Sequence, residues 1–376
     1  MRSDILRDIV AIAAFSGDTL VSSVRTFISV CANVSFEDPA ARVATSAMIA
    51  VLVAVLITYG MRLDDPWWAT ISAYMATQRS GPASIQRAIL RISGTVAGAT
   101  IAVIGVDWLA YDMPACILAI FVVCTFSVIG NNVSRYGYSW LLIGLTFTMV
   151  AVTSLGNPAQ APNIAIYRVL EVAIGSTVAA LVAFVLEPAP AVPPPVAPGW
   201  TGLLGPKLFV TLHAMRWSIA VALLPLVWRY FEVTDLSQMA VTVVIVLATP
   251  AAADPRDTHR QILAKGLQRL LGCLLGGVFG LALLAVGVDS LLPFLLMLAL
   301  PVWFCSFVQN GTHTATYVGT QAGFVVIVTL VQGAGPPLSL VPGIQRLAGI
   351  FFGLLIVMLV VLLTHPPASA RPAAAA

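Results

Sequence analysis

The strongest constraint on this fold is an internal duplication of the sequence. Residues 91–98 (Arg-Ile-Ser-Gly-Thr-Val-Ala-Gly) return 178 residues later as residues 269–276 (Arg-Leu-Leu-Gly-Cys-Leu-Leu-Gly). Internal repeats in a hydrophobic chain are typical of secondary transporters, whose binding site lies between the repeats. The duplication therefore predicts two similar halves and favours a transport function. The same offset relates Arg168 to Arg346, Gly175 to Gly353, Asn132 to Asn310 and Pro188 to Pro366.

The composition places these halves in a lipid bilayer. Hydrophobic residues make up 59% of the chain and charged residues 9%, whereas a soluble domain carries about 25% charged residues. The formal net charge of +3 gives no basic face for nucleic acid. The five cysteines are scattered without metal-ligand spacing, so we expect neither a cofactor nor a metal site.

Apolar runs between charged and Pro/Gly-rich breaks predict an all-α fold with about twelve transmembrane helices in two parallel six-helix repeats, 42–188 and 213–366. Two predicted spans, 66–77 and 236–250, are short and occupy equivalent positions, which points to a binding region in repeat transporters. An error of a few residues in the boundaries explains the shortness equally well. The predicted spans are 43–61, 66–77, 88–106, 113–130, 138–155, 165–186, 214–231, 236–250, 266–287, 290–308, 315–332 and 344–364.

Three segments lie outside the repeats. Residues 1–41 have apolar residues at helical spacing and predict a cytoplasmic, interfacial amphipathic segment. Residues 189–212 are rich in proline, which cannot continue a helix, and predict a linker. Residues 367–376 predict a disordered tail.

The basic residues predict the orientation. With the N-terminus inside, only Arg62, Arg168, Arg229 and Arg346 of the 19 basic residues fall on the outer side, as the positive-inside rule requires. Both termini are then cytoplasmic. Because each half has an even number of predicted spans, a pseudo-two-fold axis runs along the membrane normal.

Four arginines at helix ends are candidate substrate ligands. Arg91 and Arg269 begin predicted spans at the inner face, and Arg168 and Arg346 begin spans at the outer face. If the halves face each other, each pair converges on one pathway, and a guanidinium fork pairs bidentately with a carboxylate. The alternative is that these side chains reach for the lipid headgroups without binding substrate.

Glu171 is the candidate for proton coupling. It lies well inside a predicted span, three residues after Arg168 on the same helical face, and intramembrane carboxylates often belong to proton relays. The alternative is a structural partner that neutralises Arg168.

Polar and aromatic residues supply a possible binding-site lining. Trp68, Tyr74, Asn310 and Gln321 offer rings, a hydroxyl and amides, which suit a planar aromatic ligand. The alternative for Trp67 and Trp68 is to anchor the protein at the membrane interface.

The glycines predict close helix packing. Gly94 with Gly98, and Gly272 with Gly276, form GxxxG pairs within predicted spans. Such pairs let helix backbones approach closely in a membrane.

Two motifs resemble the fusaric acid resistance / aromatic acid exporter family. They are the acidic-Pro-Trp-Trp-Ala run at 65–69 and the Arg-Ile-Ser-Gly-Thr-Val-Ala-Gly run at 91–98. The resemblance covers about 40–188 and 213–366, and the second half departs from it at 235–237 and 272–273. The proline-rich linker stands in place of the family's large cytosolic domain.

The resemblance implies a multi-pass protein of the bacterial inner membrane that exports small organic anions, especially aromatic carboxylic acids, driven by protons. Arg91 and Arg269 stand on the family motif and are implied ligands. A homodimer and a periplasmic adaptor are possible partners. The alternatives are a passive anion channel, since related plant proteins are channels, and an intramembrane enzyme acting on lipid-linked substrates. The expected acid/base cluster of an enzyme is missing from the sequence, so we expect a non-enzyme.

Overall fold

In the computed structural model, the protein is a bundle of α-helices, which confirms the predicted fold class. The structure describes residues 2–187, 197–231, 237–252, 254–333, 335–337 and 339–364. Its helices are α1 (Arg2–Ala32), α2 (Pro39–Met61), α3 (Trp67–Ala76), α4 (Gly81–Leu109), α5 (Met113–Val133), α6 (Gly137–Thr153), α7 (Ala161–Leu186), α8 (Leu208–Ala222), α9 (Leu224–Phe231), α10 (Ser237–Leu247), α11 (Pro255–Leu284), α12 (Leu291–Gln309), α13 (Thr316–Leu330) and α14 (Val341–Leu363).

Each predicted span overlaps one or two helices of the described residues, and the two halves repeat one order of helices. Helices α8 and α9 together take the place of α2. They are separate because Pro225 has no N–H with which to continue the backbone ladder. Eight helical segments in the described part are long and apolar enough to cross a membrane. The four helices α3, α6, α10 and α13 are too short to be counted among these eight. The total of twelve membrane crossings therefore stays a prediction.

The two halves pack through equivalent helices in exchanged order. Helix α2 of the first half packs on α12 of the second, and α5 of the first half packs on α8 of the second. Since α2 corresponds to α8 and α5 to α12, this exchange is what a pseudo-two-fold arrangement requires. The short helices cross the same interface, α3 against α13 and α6 against α10.

The GxxxG glycines form close helix contacts in both halves, as predicted. A Cβ atom at Gly98 would lie 2.5 Å from the carbonyl oxygen of Ile143, and one at Gly276 would lie 2.4 Å from that of Ala322. Helix α4 thus packs closely on α6, and α11 on α13 in the same way.

The flanking segments are only partly described. The N-terminal segment is one helix, α1, whose C-terminal part packs on α12, with Phe27 edge-on to Phe304 at 6.1 Å. Helix α8 begins at Leu208, earlier than the predicted span. Most of the proline run, the tail 367–376, Pro188, Pro366 and Asp235 lie outside the described residues.

Candidate functional site

A polar cavity of about 820 Å³ lies where the two halves meet. It is surrounded by the N-terminal ends of α3, α7, α10 and α14 and by the C-terminal ends of α6 and α9. The basic residues predict this to be the outer end of the bundle, and we call the cavity the outer cavity. Its lining includes Asp64, Asp65, Trp67, Gln160, Asn163, Tyr167, Arg168, Glu171, Trp228, Ser237 and Arg346.

The structure brings Arg168 and Arg346 together on one indole ring. The guanidinium carbon of Arg346 lies 4.8 Å from the ring centroid of Trp67, and that of Arg168 lies 5.9 Å from the same centroid. Arg168 also lies 3.6 Å from the ring centroid of Trp68. Cation–π contacts of this kind hold a guanidinium in place without neutralising its charge. One arginine from each half therefore faces the outer cavity.

Two carboxylates accompany the arginines. Glu171 is 1% exposed, lies 3.9 Å from Arg168 and accepts a hydrogen bond from the backbone N–H of Asp65 at 3.1 Å. Asp65 accepts from the indole N–H of Trp67 at 2.9 Å, and its carboxylate lies 3.9 Å from Arg346. The ion pair of Glu171 with Arg168 is the contact on which the alternative role of Glu171, as a structural partner of Arg168, depends. Both ion pairs are longer than the roughly 2.7–2.9 Å of a strong charge-assisted hydrogen bond.

A close helix contact sets the height of α7 against α3. A Cβ atom at Gly175 would lie 1.8 Å from the carbonyl oxygen of Ala69, so only glycine lets the two backbones meet there. Glu171 and Arg168 lie one and two turns before this contact, which places them beside the start of α3. In the second half Gly353 meets Met239 in the equivalent way, with a Cβ–oxygen distance of 3.0 Å.

The interfacial-anchor alternative for Trp67 and Trp68 is wrong. Each is 3% exposed, and their ring centroids lie 4.0 Å apart. They pack inside the protein because α3 is a short core helix, all of whose residues except Met75 are buried. Arg168 and Arg346 contact the two rings inside the protein, where an interfacial tryptophan would contact lipid.

Arg91 lies in a second polar cluster, within the first half. It donates to the hydroxyl of Ser72 on α3 at 3.0 Å and to the hydroxyl of Tyr138 on α6 at 2.6 Å. The guanidinium of Arg87, one turn earlier on α4, stacks 3.4 Å above the ring of Tyr138. Arg91 and Arg87 thus both contact Tyr138, one at its hydroxyl and the other at its ring.

Arg269 repeats this arrangement in the second half. It donates to Thr242 on α10 at 3.0 Å and to the side-chain oxygen of Gln321 on α13. Lys265, the counterpart of Arg87, lies 5.7 Å from the ring centroid of Tyr317. Arg91 is 6% exposed and Arg269 is fully buried. Within the described residues, neither arginine forms an ion pair with a carboxylate, and the contacts of each stay in its own half.

The remaining predicted residues lie apart from the outer cavity. Tyr74 is buried and donates to the carbonyl oxygen of Gly319 on α13 at 3.3 Å. Asn310 caps the inner end of α12, and its amide donates to the carbonyl oxygen of Ser306 at 2.9 Å. Of the predicted lining, Gln321 contacts Arg269 and Trp68 contacts Arg168.

Several residues of these clusters were missed from the sequence. They are Asp65 at the outer cavity, and Arg87, Tyr138, Lys265, Ser72 and Thr242 in the clusters around Arg91 and Arg269. The signal for Ser72 and Thr242 was present, since both hydroxyls lie 170 residues apart at equivalent positions of α3 and α10. The single offset of 178 conceals this pair.

The repeated helices, the apolar spans and the charged cavity between the halves define a multi-pass membrane protein built like a transporter. The profile of the fusaric acid resistance protein family matches residues 40–196, and that of the fusaric acid resistance protein-like family matches residues 222–360. The chain therefore belongs to the fusaric acid resistance protein family. No curated protein and no solved structure matches it. Members of this family are transporters, which indicates a role in membrane transport and efflux.

Proposed function

We propose that this protein exports small organic anions, in particular aromatic carboxylic acids, across the bacterial inner membrane in exchange for protons. The observation that carries the proposal is the outer cavity, where one arginine from each half packs on the same indole. A guanidinium recognises a carboxylate through a planar fork. A site shared by both halves is where a repeat transporter binds its substrate.

The outer cavity suits a ligand with an aromatic ring as well as a carboxylate. Tyr167 and Trp228 line it together with the amides of Asn163 and Gln160. Rings offer stacking area, and a few polar groups fix the orientation. The substrate carboxylate would compete with Asp65 and Glu171 for the two arginines.

The clusters around Arg91 and Arg269 would serve the anion nearer the inner end. Each presents two cations and a phenol from α4 and α6 or from α11 and α13. Anions moving past would meet the same chemistry in both halves. Trp68 would position Arg168, Gln321 would orient Arg269, and Tyr74 and Asn310 would hold the interface between the halves.

Glu171 would couple transport to protons. Its carboxylate is buried beside Arg168, so its protonation changes the charge of the site by one unit. One chain already supplies an arginine from each half, so the proposal needs neither a homodimer nor a periplasmic adaptor. The paired arginines suit a passive anion channel as well, and transport in liposomes separates the two functions.

We expect purified protein in liposomes to accumulate labelled 4-sulfobenzoate on the acidic side of an imposed pH gradient. This probe carries an aromatic carboxylate, and its sulfonate keeps it from crossing the bilayer unaided. Exchange of the anion for protons gives this direction, and an uncoupler should abolish the accumulation. Flux that only equilibrates would indicate a channel, and accumulation on the alkaline side would indicate co-transport. Absence of flux would contradict the proposed substrate class.

Glu171→Gln should retain equilibrating flux and lose accumulation, because it keeps the hydrogen bond to Asp65 but carries no proton-dependent charge. Asp107→Asn is the matched control, since Asp107 is an exposed carboxylate at the outer end of α4. Accumulation by Glu171→Gln equal to that of the unmodified protein would exclude Glu171 as the coupling group.

A further inference from the structure

At the end of the bundle opposite the outer cavity, hydrogen bonds join the two halves. The side-chain amide of Asn131 donates to the carbonyl oxygen of Ala248 at 3.1 Å. The backbone N–H of Ala251 donates to the side-chain oxygen of Asn132 at 2.8 Å. The C-terminal end of α5 is thereby tied to the segment that follows α10.

The equivalent place in the other half is tied by a charged residue. Arg79 follows α3, as Ala248 to Ala251 follow α10, and its guanidinium donates to the backbone carbonyl oxygens of Asn310 and Gly311. These carbonyls end α12, the counterpart of α5. We call the contacts of Arg79, Asn131 and Asn132 the inner latch.

Apolar layers surround both parts of the inner latch. Val133 at the end of α5 packs with Ala214 of α8, and Phe307 at the end of α12 packs with Ala40 at the start of α2. The asparagine bonds are partly buried beside these layers, whereas those of Arg79 are exposed. An anion passing between the halves from the inner side would have to break these contacts.

We propose that Arg79 is the residue through which an anion opens the inner latch from the cytoplasmic side. The proposal rests on the proposed function, because it requires an anionic substrate. Arg79 is exposed at the inner end, so an anion reaches it without prior opening. In the described part of the chain, its hydrogen-bond partners are uncharged carbonyls, which do not neutralise the guanidinium.

The two parts of the inner latch differ in this respect. The asparagine bonds are neutral on both sides, so an anion gains nothing by displacing them. When an anion binds, the guanidinium of Arg79 exchanges its hydrogen bonds to carbonyl dipoles for contact with a full negative charge. Water then hydrates the carbonyls at the end of α12. The substrate would therefore release the Arg79 part first, and the asparagine part would only add to the closure.

Thiol labelling of a buried position next to the inner latch tests this assignment. Thr77→Cys, in a chain whose five native cysteines are replaced, places a thiol at a site that is 2% exposed and two residues before Arg79. Purified protein is labelled with a membrane-impermeant maleimide in two parallel samples. One sample contains 4-sulfobenzoate and the other contains potassium chloride at equal ionic strength. We expect the organic anion to accelerate labelling by about tenfold, since the bonds it replaces are charged.

Arg79→Gln should label fast without the anion and should not respond to it. Asn132→Ala should also label faster at rest but keep its response. Arg135→Gln is the matched control, because Arg135 is another exposed arginine at the inner end, and it should behave as the parent does. Each variant is compared only if it elutes as a single peak in gel filtration, and Arg79→Ala replaces Arg79→Gln if the latter does not.

Three results would overturn the assignment: slow labelling of Arg79→Gln, an unchanged anion response in Arg79→Gln, or no response in the parent. Flux of 4-sulfobenzoate in liposomes is measured on the same parent protein. Flux with an unresponsive thiol rejects only the role of Arg79. Absence of flux rejects the proposed function itself.

Discussion

Arg346→Ala should lower the initial rate of 4-sulfobenzoate flux by about tenfold to a hundredfold and leave the protein folded. The factor corresponds to the roughly 1.5–3 kcal/mol that a charge-assisted hydrogen bond contributes. Arg346 packs on Trp67 and faces the outer cavity. Its removal takes away one of the two guanidinium groups that the halves bring together.

Arg346 is a cleaner target than Arg168. Its carboxylate partner Asp65 has a side chain that is 50% exposed, so water replaces the lost ion pair. Loss of Arg168 would instead leave the buried Glu171 without its ion pair, and an uncompensated buried charge destabilises a protein strongly. A lower flux in Arg168→Ala would therefore mix lost binding with lost folding.

Two further variants separate charge from geometry. Arg346→Lys keeps the charge but lacks the planar fork and stacks less well, so its rate should fall between those of Arg346→Ala and the parent. Arg229→Ala is the matched control, because Arg229 is an exposed arginine at the outer end that does not line the outer cavity. Flux in Arg346→Ala equal to that of Arg229→Ala would exclude Arg346 as a substrate ligand.

The repeat predicted the convergence of Arg168 and Arg346 because equivalent residues of two facing halves approach the axis between them. It did not bring Arg91 and Arg269 together, since each is held by hydroxyls of its own half. A single sequence offset of 178 also does not align the two halves along their whole length. The connection after α10 is longer than that after α3, and α11 begins about one turn earlier in the repeat than α4. The offset therefore changes from 170 to 178 along the chain.

Burial of Trp67 and Trp68 could not be predicted from position alone. A tryptophan pair at a span boundary is typical of the lipid interface, and only tertiary packing shows that α3 is surrounded by other helices. The hydrogen bonds of the inner latch could not be predicted from the sequence either. Several of their acceptors are backbone carbonyls, which every residue has, so no residue type indicates them. Asn132 and Asn310 were visible as a repeated pair, but their different bonding was not.

The second large effect concerns folding: Gly175→Ala should yield no monodisperse protein. The new Cβ atom would lie 1.8 Å from the carbonyl oxygen of Ala69, and relief requires α7 to move away from α3. Inserting one extra carbon into a packed core costs about 1–3 kcal/mol when side chains can adjust. Here the obstacle is backbone, so the cost exceeds that range and falls on the helix that carries Arg168 and Glu171.

The other half supplies a graded comparison. At Gly353 the new Cβ atom would lie 2.8 Å from the Cβ of Thr242 and 3.0 Å from the oxygen of Met239, so Gly353→Ala should fold with a lower apparent melting temperature. Gly60→Ala is the control, because nothing lies within 4 Å of its Cβ position. Gel filtration after a heating series measures all three. Equal melting temperatures for Gly175→Ala and Gly60→Ala would mean that α7 does not meet α3 at this contact. The height at which Arg168 faces Trp67 would then have to be set by something other than the glycine.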